Sequence, residues 1–267
     1  MRSFFLFLFL CAPSVLFGQF YSGAETSGRA GAFVFQNGVW STSGNQAGLA
    51  LVNKVESGLF YTNKYRNLEV YGVSMAATIP AFSGTFGIEV QQLIFNTFVD
   101  RSYTLAYGMQ LSNKIVAGVG LAYRHISLGS YYGSGGNVFV EGGVTWLTSQ
   151  KFALAMHISN PFVSYIEYSS KEIIPVVCSV GCKYHPLLNW SVLFQLDKVV
   201  SGGFSGHICF ENNIYSDLIL RGGYQTNPSL YVFGIGIDKK RWQGDSSFII
   251  NPILGCYPEL SVVYKWS

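Results

Sequence analysis

Residue types that can do chemistry are thinly spread through this 267-residue chain. No HExxH or HxxxH spacing occurs, so the zinc-protease signature is missing. Gly202-Gly-Phe-Ser-Gly206 is similar in letters to a serine-nucleophile turn, but it precedes a strand instead of joining a strand to a helix. Gly234-Ile-Gly236 lacks the third glycine and the following helix of a dinucleotide site. We therefore predict a protein that is not an enzyme and needs no cofactor.

The cysteines predict neither a disulfide nor a metal site. Cys178 and Cys182 lie four residues apart on one face of a predicted strand, roughly 13 Å at strand rise, which is too far for a disulfide. Cys209 and Cys256 have no CxxC partner, and no histidine stands at metal-ligand spacing from them. Small hydrophobic side chains, buried or facing lipid, are the expected role.

Most charged side chains of the predicted strands share the polar face. Isolated charges are costly in a narrow interior, so opposite charges are expected to pair across it. This favours a charge-paired, filled lumen over an open conduit. The lumen charge set consists of Glu89, Arg124, Glu141, His157, Lys183, Asp197, His207, Glu211, Arg221, Asp238 and Lys265.

The elements that position these residues are alternating strands. Residues 218–225 and 230–238 are two such segments, joined by a turn at Asn227-Pro228. In the second segment Tyr231 and Phe233 share an apolar face opposite Gly234, because successive side chains of a strand point to opposite sides. The pattern predicts a β-hairpin with an apolar outer face.

Composition places these strands in a membrane. Charged residues are 12% of the chain and apolar residues 49%, whereas a soluble domain has about a quarter charged residues. Apolar residues that alternate without long runs are typical of a transmembrane β-barrel, with a secreted β-sandwich or propeller as the alternative. The 17 basic residues form no run longer than three, which argues against nucleic acid as a partner.

The same alternation predicts an all-β fold, a transmembrane antiparallel up-and-down β-barrel of about 14 strands, the even number usual for bacterial barrels. Tyrosine and tryptophan at strand ends suit aromatic girdles; these are Tyr103, Trp146, Trp190 and Trp266. Residues 129–136 are predicted to form a loop. The predicted strands are 55–66, 67–80, 84–95, 103–111, 115–125, 137–148, 152–158, 174–184, 190–199, 204–211, 218–225, 230–238, 246–252 and 260–266.

Three parts follow along the chain. Residues 1–19 combine Arg2 with an apolar run and are predicted to be a signal peptide, too short to span a membrane as a helix. Residues 20–52 are rich in loops and form either a first strand or a small plug inside the lumen. Residues 53–267 form the barrel. Export together with a barrel predicts the bacterial outer membrane.

Gly28-Arg-Ala-Gly-Ala32 followed by Asn45-Gln-Ala-Gly-Leu-Ala50 resembles the N-terminal pattern of the FadL-like outer-membrane barrels. This superfamily includes long-chain fatty-acid transporters and the PorV/PorQ group of the Bacteroidetes type IX secretion system. Gln46 stands where the family usually has proline. Short motifs such as Ile158-Ser-Asn-Pro-Phe162 and Leu220-Arg-Gly-Gly-Tyr224 extend the resemblance along the chain, and it is similar above all to PorV/PorQ-like proteins.

The resemblance implies two functions. The first is a non-enzymatic envelope or secretion-associated interaction component, whose partners are outer-membrane lipid and other envelope or secretion-system proteins. The alternative is a FadL-type transporter of hydrophobic small molecules, which requires an apolar pocket near the N-terminal segment. The candidate lining residues are Phe33, Phe35, Val39 and Trp40. Because the predicted loops are short, the first function is the preferred hypothesis.

Overall fold

Fourteen antiparallel strands close into one barrel, which confirms the fold and the strand number predicted from alternation. The computed structural model describes residues 22–64, 70–129, 133–167 and 171–266. The predicted signal peptide lies outside the described residues and stays a prediction. The barrel closes where β1 (Glu56–Lys64) pairs on one side with β2 (Val70–Ala81) and on the other with the last strand, β16 (Gly255–Lys265).

The remaining barrel strands follow one another around the wall. They are β3 (Gly84–Phe95), β4 (Phe98–Ser112), β5 (Ile115–Ser127), β6 (Ser134–Trp146), β7 (Phe152–Ser159), β10 (Val177–Leu187), β11 (Trp190–Val199), β12 (Phe204–Tyr215), β13 (Leu218–Thr226), β14 (Ser229–Asp238) and β15 (Trp242–Asn251). A separate two-stranded hairpin, β8 (Tyr165–Glu167) and β9 (Lys171–Ile173), lies between β7 and β10.

The alternation of the sequence corresponds to the two faces of the wall. On β3, Ile88 is exposed on the outside while Glu89 is buried inside. On the hairpin of β13 and β14, Phe233 is exposed and Arg221 is buried. Outward side chains are therefore apolar around the barrel, and the polar face points into the lumen, as predicted.

Several strand boundaries differ from the prediction. β4, β15 and β16 begin four or five residues earlier than expected, because charged residues near their starts (Asp100, Asp245 and Glu259) interrupt the apolar alternation but still pair with neighbouring strands. Tyr103 consequently lies within β4 and not at its end. β6 begins at Ser134, inside the predicted loop, and pairs with β5 from there.

The segment predicted to begin a strand at residue 174 forms part of a folded loop. Ile174 and Ile166 are buried against Ile126 and Phe139 of the wall, so this stretch turns over the barrel mouth before β10 begins at Val177. Asn160 Nδ2 donates to the backbone oxygen of Ile174 at 2.6 Å and fixes the fold of the loop.

The two ends of the barrel differ. At one end, which we call the terminal end, the chain enters β1 and leaves β16. Several connections at this end are two-residue turns, such as 82–83 and 188–189. At the other, here the loop end, β7 and β10 are joined by residues 160–176 with their hairpin. In outer-membrane barrels the short turns face the periplasm and the longer loops face outward. The terminal end is therefore assigned to the periplasm.

Residues 22–52, here the inner segment, lie inside the barrel. They form a short helix, α1 (Ala24–Gly28), and two 3-10 helices, Val39–Thr42 and Gln46–Leu51. Most of their side chains are buried, including Phe33 and Trp40. Among the described residues, no helix has the length and apolar character needed to cross a membrane.

Inward-facing glycines make room for the inner segment. A Cβ atom at Gly181 would lie 2.6 Å from Val34 Cγ2, and one at Gly58 would lie 2.8 Å from Trp40 Cζ2. At Gly118 the same atom would overlap the backbone of Gln46. The wall and the segment are thus in direct contact on several sides, and larger side chains would displace one of them.

Candidate functional site

A buried cluster of ion pairs joins the inner segment to the wall. Arg29 Nε lies 2.7 Å from Glu211 Oε1, and Arg221 contacts both Glu211 Oε1, at 3.0 Å, and Asp245 Oδ1, at 2.7 Å. Three acidic and three basic groups balance one another, which buried charges require. This ion-pair cluster consists of Glu25, Arg29, Lys183, Glu211, Arg221 and Asp245.

Polar wall residues also bind the backbone of the inner segment. The ring nitrogens of His207 lie 2.6 Å from the carbonyl oxygen of Ala30 and 2.8 Å from Asp197 Oδ2. Ala30 has φ 58°, a left-handed conformation unusual for alanine, so this contact holds a strained turn. Gln195 Oε1 accepts a hydrogen bond from the backbone nitrogen of Val34 at 3.0 Å. The segment is therefore fixed through its main chain as well as its side chains.

The lumen charge set is only partly arranged in pairs of opposite sign. Arg124 pairs with Asp100 at 2.7 Å and Lys265 with Asp238 at 2.7 Å, in addition to the contacts described above. Glu89 and Glu141 make no ion pair within the described residues and are bonded by neutral groups. Gln46 Nε2 donates to Glu141 Oε2 at 2.9 Å, so the residue that departs from the family pattern has a partner of its own.

His157 is the most isolated member of the lumen charge set. It is 1% exposed, and neither ring nitrogen has a hydrogen-bond partner in the described part of the chain. Its ring packs edge-on against Phe33, with the centroids 5.2 Å apart. His157 thus packs as an apolar ring and does not join the ion-pair cluster.

Sequence reasoning missed several charged partners. Glu25 and Arg29 lie on the inner segment, four residues apart, a spacing that itself indicates an ion pair on a helix. Asp100 and Asp245 lie on β4 and β15, just before the predicted starts of those strands. An earlier start for both strands would have placed these carboxylates on the inner face.

The four candidate lining residues divide between two apolar clusters. Phe33 and Phe35 pack against Leu193 of the wall, whereas Val39 and Trp40 form a separate cluster that includes Phe60. All four are buried and none borders the cavity described below. They anchor the inner segment in this conformation, and their ligand-binding role stays a prediction.

A cavity of about 570 Å³ occupies the loop-end half of the lumen. Its floor is formed by the inner segment, at Thr26, Ala30 and Ser43 among others. Apolar side chains line its walls near the ends of the strands. These include Phe98, Ile126, Phe139, Val199, Val232 and Ile249.

Charged side chains interrupt the apolar walls of the cavity. The basic ones are Lys64, Arg124 and His207, and the acidic ones are Glu141, Glu172, Asp197 and Glu259. A concave space with mostly apolar walls and a few placed polar groups is the usual form of a small-molecule site. The candidate functional site is therefore this cavity together with the segment that closes it.

No protein-family model matches the sequence, and no curated protein matches it. Solved structures do match the fold. A Pseudomonas aeruginosa FadL homologue has a TM-score of 0.68 at 9% identity, covering 92% of this chain and 98% of that chain. The CymD monoaromatic hydrocarbon channel has a TM-score of 0.68 at 11% identity, covering 92% and 97%.

A third match is the Pseudomonas putida toluene transporter TodX, with a TM-score of 0.67 at 11% identity, covering 90% of this chain and 96% of that chain. At such identities the likeness concerns the fold alone. The outer face independently requires hydrocarbon surroundings, because apolar residues such as Met75 and Val119 are more than half exposed on it. The chain has the fold of the FadL-type barrels and lies in the bacterial outer membrane.

Proposed function

We propose that this protein is a conduit for hydrophobic small molecules across the outer membrane. The observation that carries the proposal is the cavity at the loop end, with apolar walls and the inner segment as its floor. A molecule entering from the loop end would leave water for this space, and burial of apolar surface favours that transfer. The FadL-type fold supports the same function, because a monoaromatic hydrocarbon channel and a toluene transporter share it.

In this conformation the inner segment fills the half of the lumen toward the terminal end. Trp40 packs against Phe60 there, and the Gln46 backbone lies against Gly118. A substrate that crosses the barrel along its axis therefore needs the segment to move away from the wall. The inner segment acts in this proposal as the gate of the conduit.

The secretion-associated function predicted from the PorV/PorQ resemblance has less support. The solved structures reported above are a FadL homologue, a hydrocarbon channel and a toluene transporter. No observation on the described surface favours a secretion partner over lipid. We accordingly prefer transport, the alternative in the sequence analysis, and the PorV/PorQ hypothesis remains a prediction.

Uptake of ring-labelled toluene tests the conduit directly. Cells that carry the protein in the outer membrane are compared with cells that carry an empty vector, and the initial rate of accumulation is measured. We expect the protein to raise this rate. The proposed function would be contradicted if cells with the protein and cells with the empty vector took up toluene at equal rates, and likewise each of a panel of larger apolar compounds.

A reversible crosslink tests the gate. Val34→Cys and Gly181→Cys, with the four native cysteines of the mature chain replaced by alanine, place two thiols at a contact where a Cβ on residue 181 already approaches Val34. We expect slow uptake in the oxidised protein and recovery after reduction. Gly181→Cys alone is the matched control. Unchanged uptake in the crosslinked protein would show that the route bypasses the inner segment.

A further inference from the structure

Three segments that are distant in the sequence meet at the terminal end of the barrel. The turn of residues 239–241 joins β14 to β15. The backbone nitrogen of Lys265 donates to the carbonyl oxygen of Arg241 at 2.8 Å, and the backbone nitrogen of Trp266 donates to that of Val55 at 2.8 Å. The turn, the end of β16 and the entry to β1 therefore lie side by side.

These segments carry basic side chains that have no partner within the protein. The basic rim, as we call them, consists of Lys54, Lys239, Lys240 and Arg241. All four are exposed, and across the described part of the chain none of their side chains forms an ion pair or a hydrogen bond. Their charges are therefore available to an anion from outside the protein.

The acidic groups nearby leave most of this charge uncompensated. Asp238 is already paired with Lys265, with Oδ1 and Nζ 2.7 Å apart. Glu56 is buried and accepts a hydrogen bond from the backbone nitrogen of Val39 at 2.9 Å. Asp217 lies on the neighbouring turn, where its carbonyl oxygen accepts from the backbone nitrogen of Asp238, and its carboxylate balances at most one of the four charges.

Three aromatic rings fix the depth of the basic rim in the membrane. Trp242, Tyr264 and Trp266 contact one another at this end of the wall, with successive ring centroids 4.7 and 4.9 Å apart. Trp242 and Trp266 are 56% and 52% exposed on the outer face. Tryptophan and tyrosine concentrate at the level of lipid head groups. Because Arg241 directly precedes Trp242, the basic rim lies at the level of the lipid phosphates.

We infer that the basic rim binds the phosphate group of an anionic phospholipid in the periplasmic leaflet. The guanidinium of Arg241 can donate two parallel hydrogen bonds to one phosphate, and the lysines of the rim add charge at the same level. A zwitterionic head group carries its own ammonium beside its phosphate, which weakens the attraction. The ligand class is therefore a phospholipid with net negative charge, such as phosphatidylglycerol.

Quenching of the protein's own tryptophans tests the inference. The full-length protein carrying Trp146→Phe and Trp190→Phe keeps Trp242 and Trp266 on the outer face, whereas Trp40 is buried inside the lumen. It is reconstituted in phosphatidylcholine vesicles that contain an equal small fraction of brominated phosphatidylglycerol or of brominated phosphatidylcholine. We expect brominated phosphatidylglycerol to associate about fivefold more strongly, the effect of one basic group near a lipid surface.

Lys240→Gln combined with Arg241→Gln tests the residues. The double variant removes two charges of the basic rim, so the preference for phosphatidylglycerol should fall below about twofold. Lys114→Gln combined with Lys151→Gln is the matched control, because it removes the same charge from other exposed turns at the terminal end. The control should keep the preference. Gel migration of unheated samples verifies that each variant is folded.

Each result decides the inference. Equal quenching by the two brominated lipids would overturn it and leave an acidic periplasmic protein as the partner of the basic rim. A preference that persists in the Lys240 and Arg241 double variant, or that the control loses to the same extent, would overturn the assignment to these residues. The measurement does not depend on transport, so the lipid site and the proposed function are tested independently.

Discussion

The two halves of the lumen use the same inner face of the same strands in different ways. Toward the terminal end the wall offers glycine at positions such as Gly118 and Gly181, and the inner segment fills the space they leave. Toward the loop end the wall offers larger side chains, such as Phe98 and Phe139, and a cavity remains between them. Inward glycines thus accompany the closest contacts between the wall and the inner segment.

This difference explains how one half of the lumen can be blocked by the inner segment while the other half can bind a ligand. In the filled half, ion pairs and main-chain hydrogen bonds hold the segment, while in the hollow half polar and apolar side chains border an open cavity. Changes in the filled half should therefore alter stability and the position of the segment. Changes in the hollow half should alter ligand binding with little effect on folding.

The largest effect is expected for Arg221→Met, in the filled half. The side chain of Arg221 is 1% exposed and neutralises Glu211 and Asp245, so its removal leaves buried charges uncompensated. Breaking a buried pair in this way commonly costs about 3–5 kcal/mol. Urea unfolding in lipid vesicles, followed by tryptophan fluorescence, measures the free energy of unfolding.

Lys171→Met is the control for this variant. Lys171 and Glu167 form an exposed pair with N and O atoms 3.5 Å apart, and such pairs contribute about 0–1 kcal/mol. Equal losses of stability in the two variants would contradict the view that the ion-pair cluster holds the filled half together.

A smaller effect is expected for Gly118→Val. The added side chain would collide with the backbone of Gln46, and overpacking of this kind costs about 1–3 kcal/mol. The segment should become more accessible, which limited proteolysis of residues 22–52 detects. Gly244→Val is the control, because a Cβ at Gly244 meets nothing within 4 Å. Similar protection of the segment in both variants would show that the glycine contact does not position it.

The smallest effect is expected for His207→Ala, at the boundary between the two halves. The variant removes the contacts to the Ala30 carbonyl and to Asp197, and a hydrogen bond contributes about 0.5–1.5 kcal/mol. Hydrogen exchange should rise for the backbone around residues 30–34 and remain unchanged around the second 3-10 helix. Uniform exchange across the whole segment would instead indicate that His207 acts on global stability.

Much of the barrel could be predicted because alternation is a local signal. The outward face of β3, with Phe86, Ile88 and Val90, is readable from the sequence alone, and so is the number of strands. The ends of strands are less readable, since polar residues such as Asp245 still pair within the sheet although they interrupt the apolar pattern. The fold of residues 160–176 over the mouth depends on wall residues far away in the sequence.

The candidate site was readable only in part. The polar face identified Glu211 and Arg221, but not that Arg29 joins them from 182 residues away along the chain. The candidate lining residues Phe33, Phe35, Val39 and Trp40 are apolar, which is compatible with lining a pocket and with packing against the wall. In the structure they pack against the wall. The cavity lies elsewhere, toward the loop end, and its members are scattered over many strands.

By itself the sequence determined that the chain forms a barrel with an apolar outside and a polar, glycine-rich inside, because a strand has only two faces and hydrocarbon accepts only one kind of residue. Only the tertiary structure decided what fills that inside. An inward glycine is compatible with close strands, an inserted segment or a ligand, and closure of the barrel brings Gly118 to Gln46 and Gly181 to Val34. These juxtapositions depend on register around all fourteen strands, which no local pattern encodes.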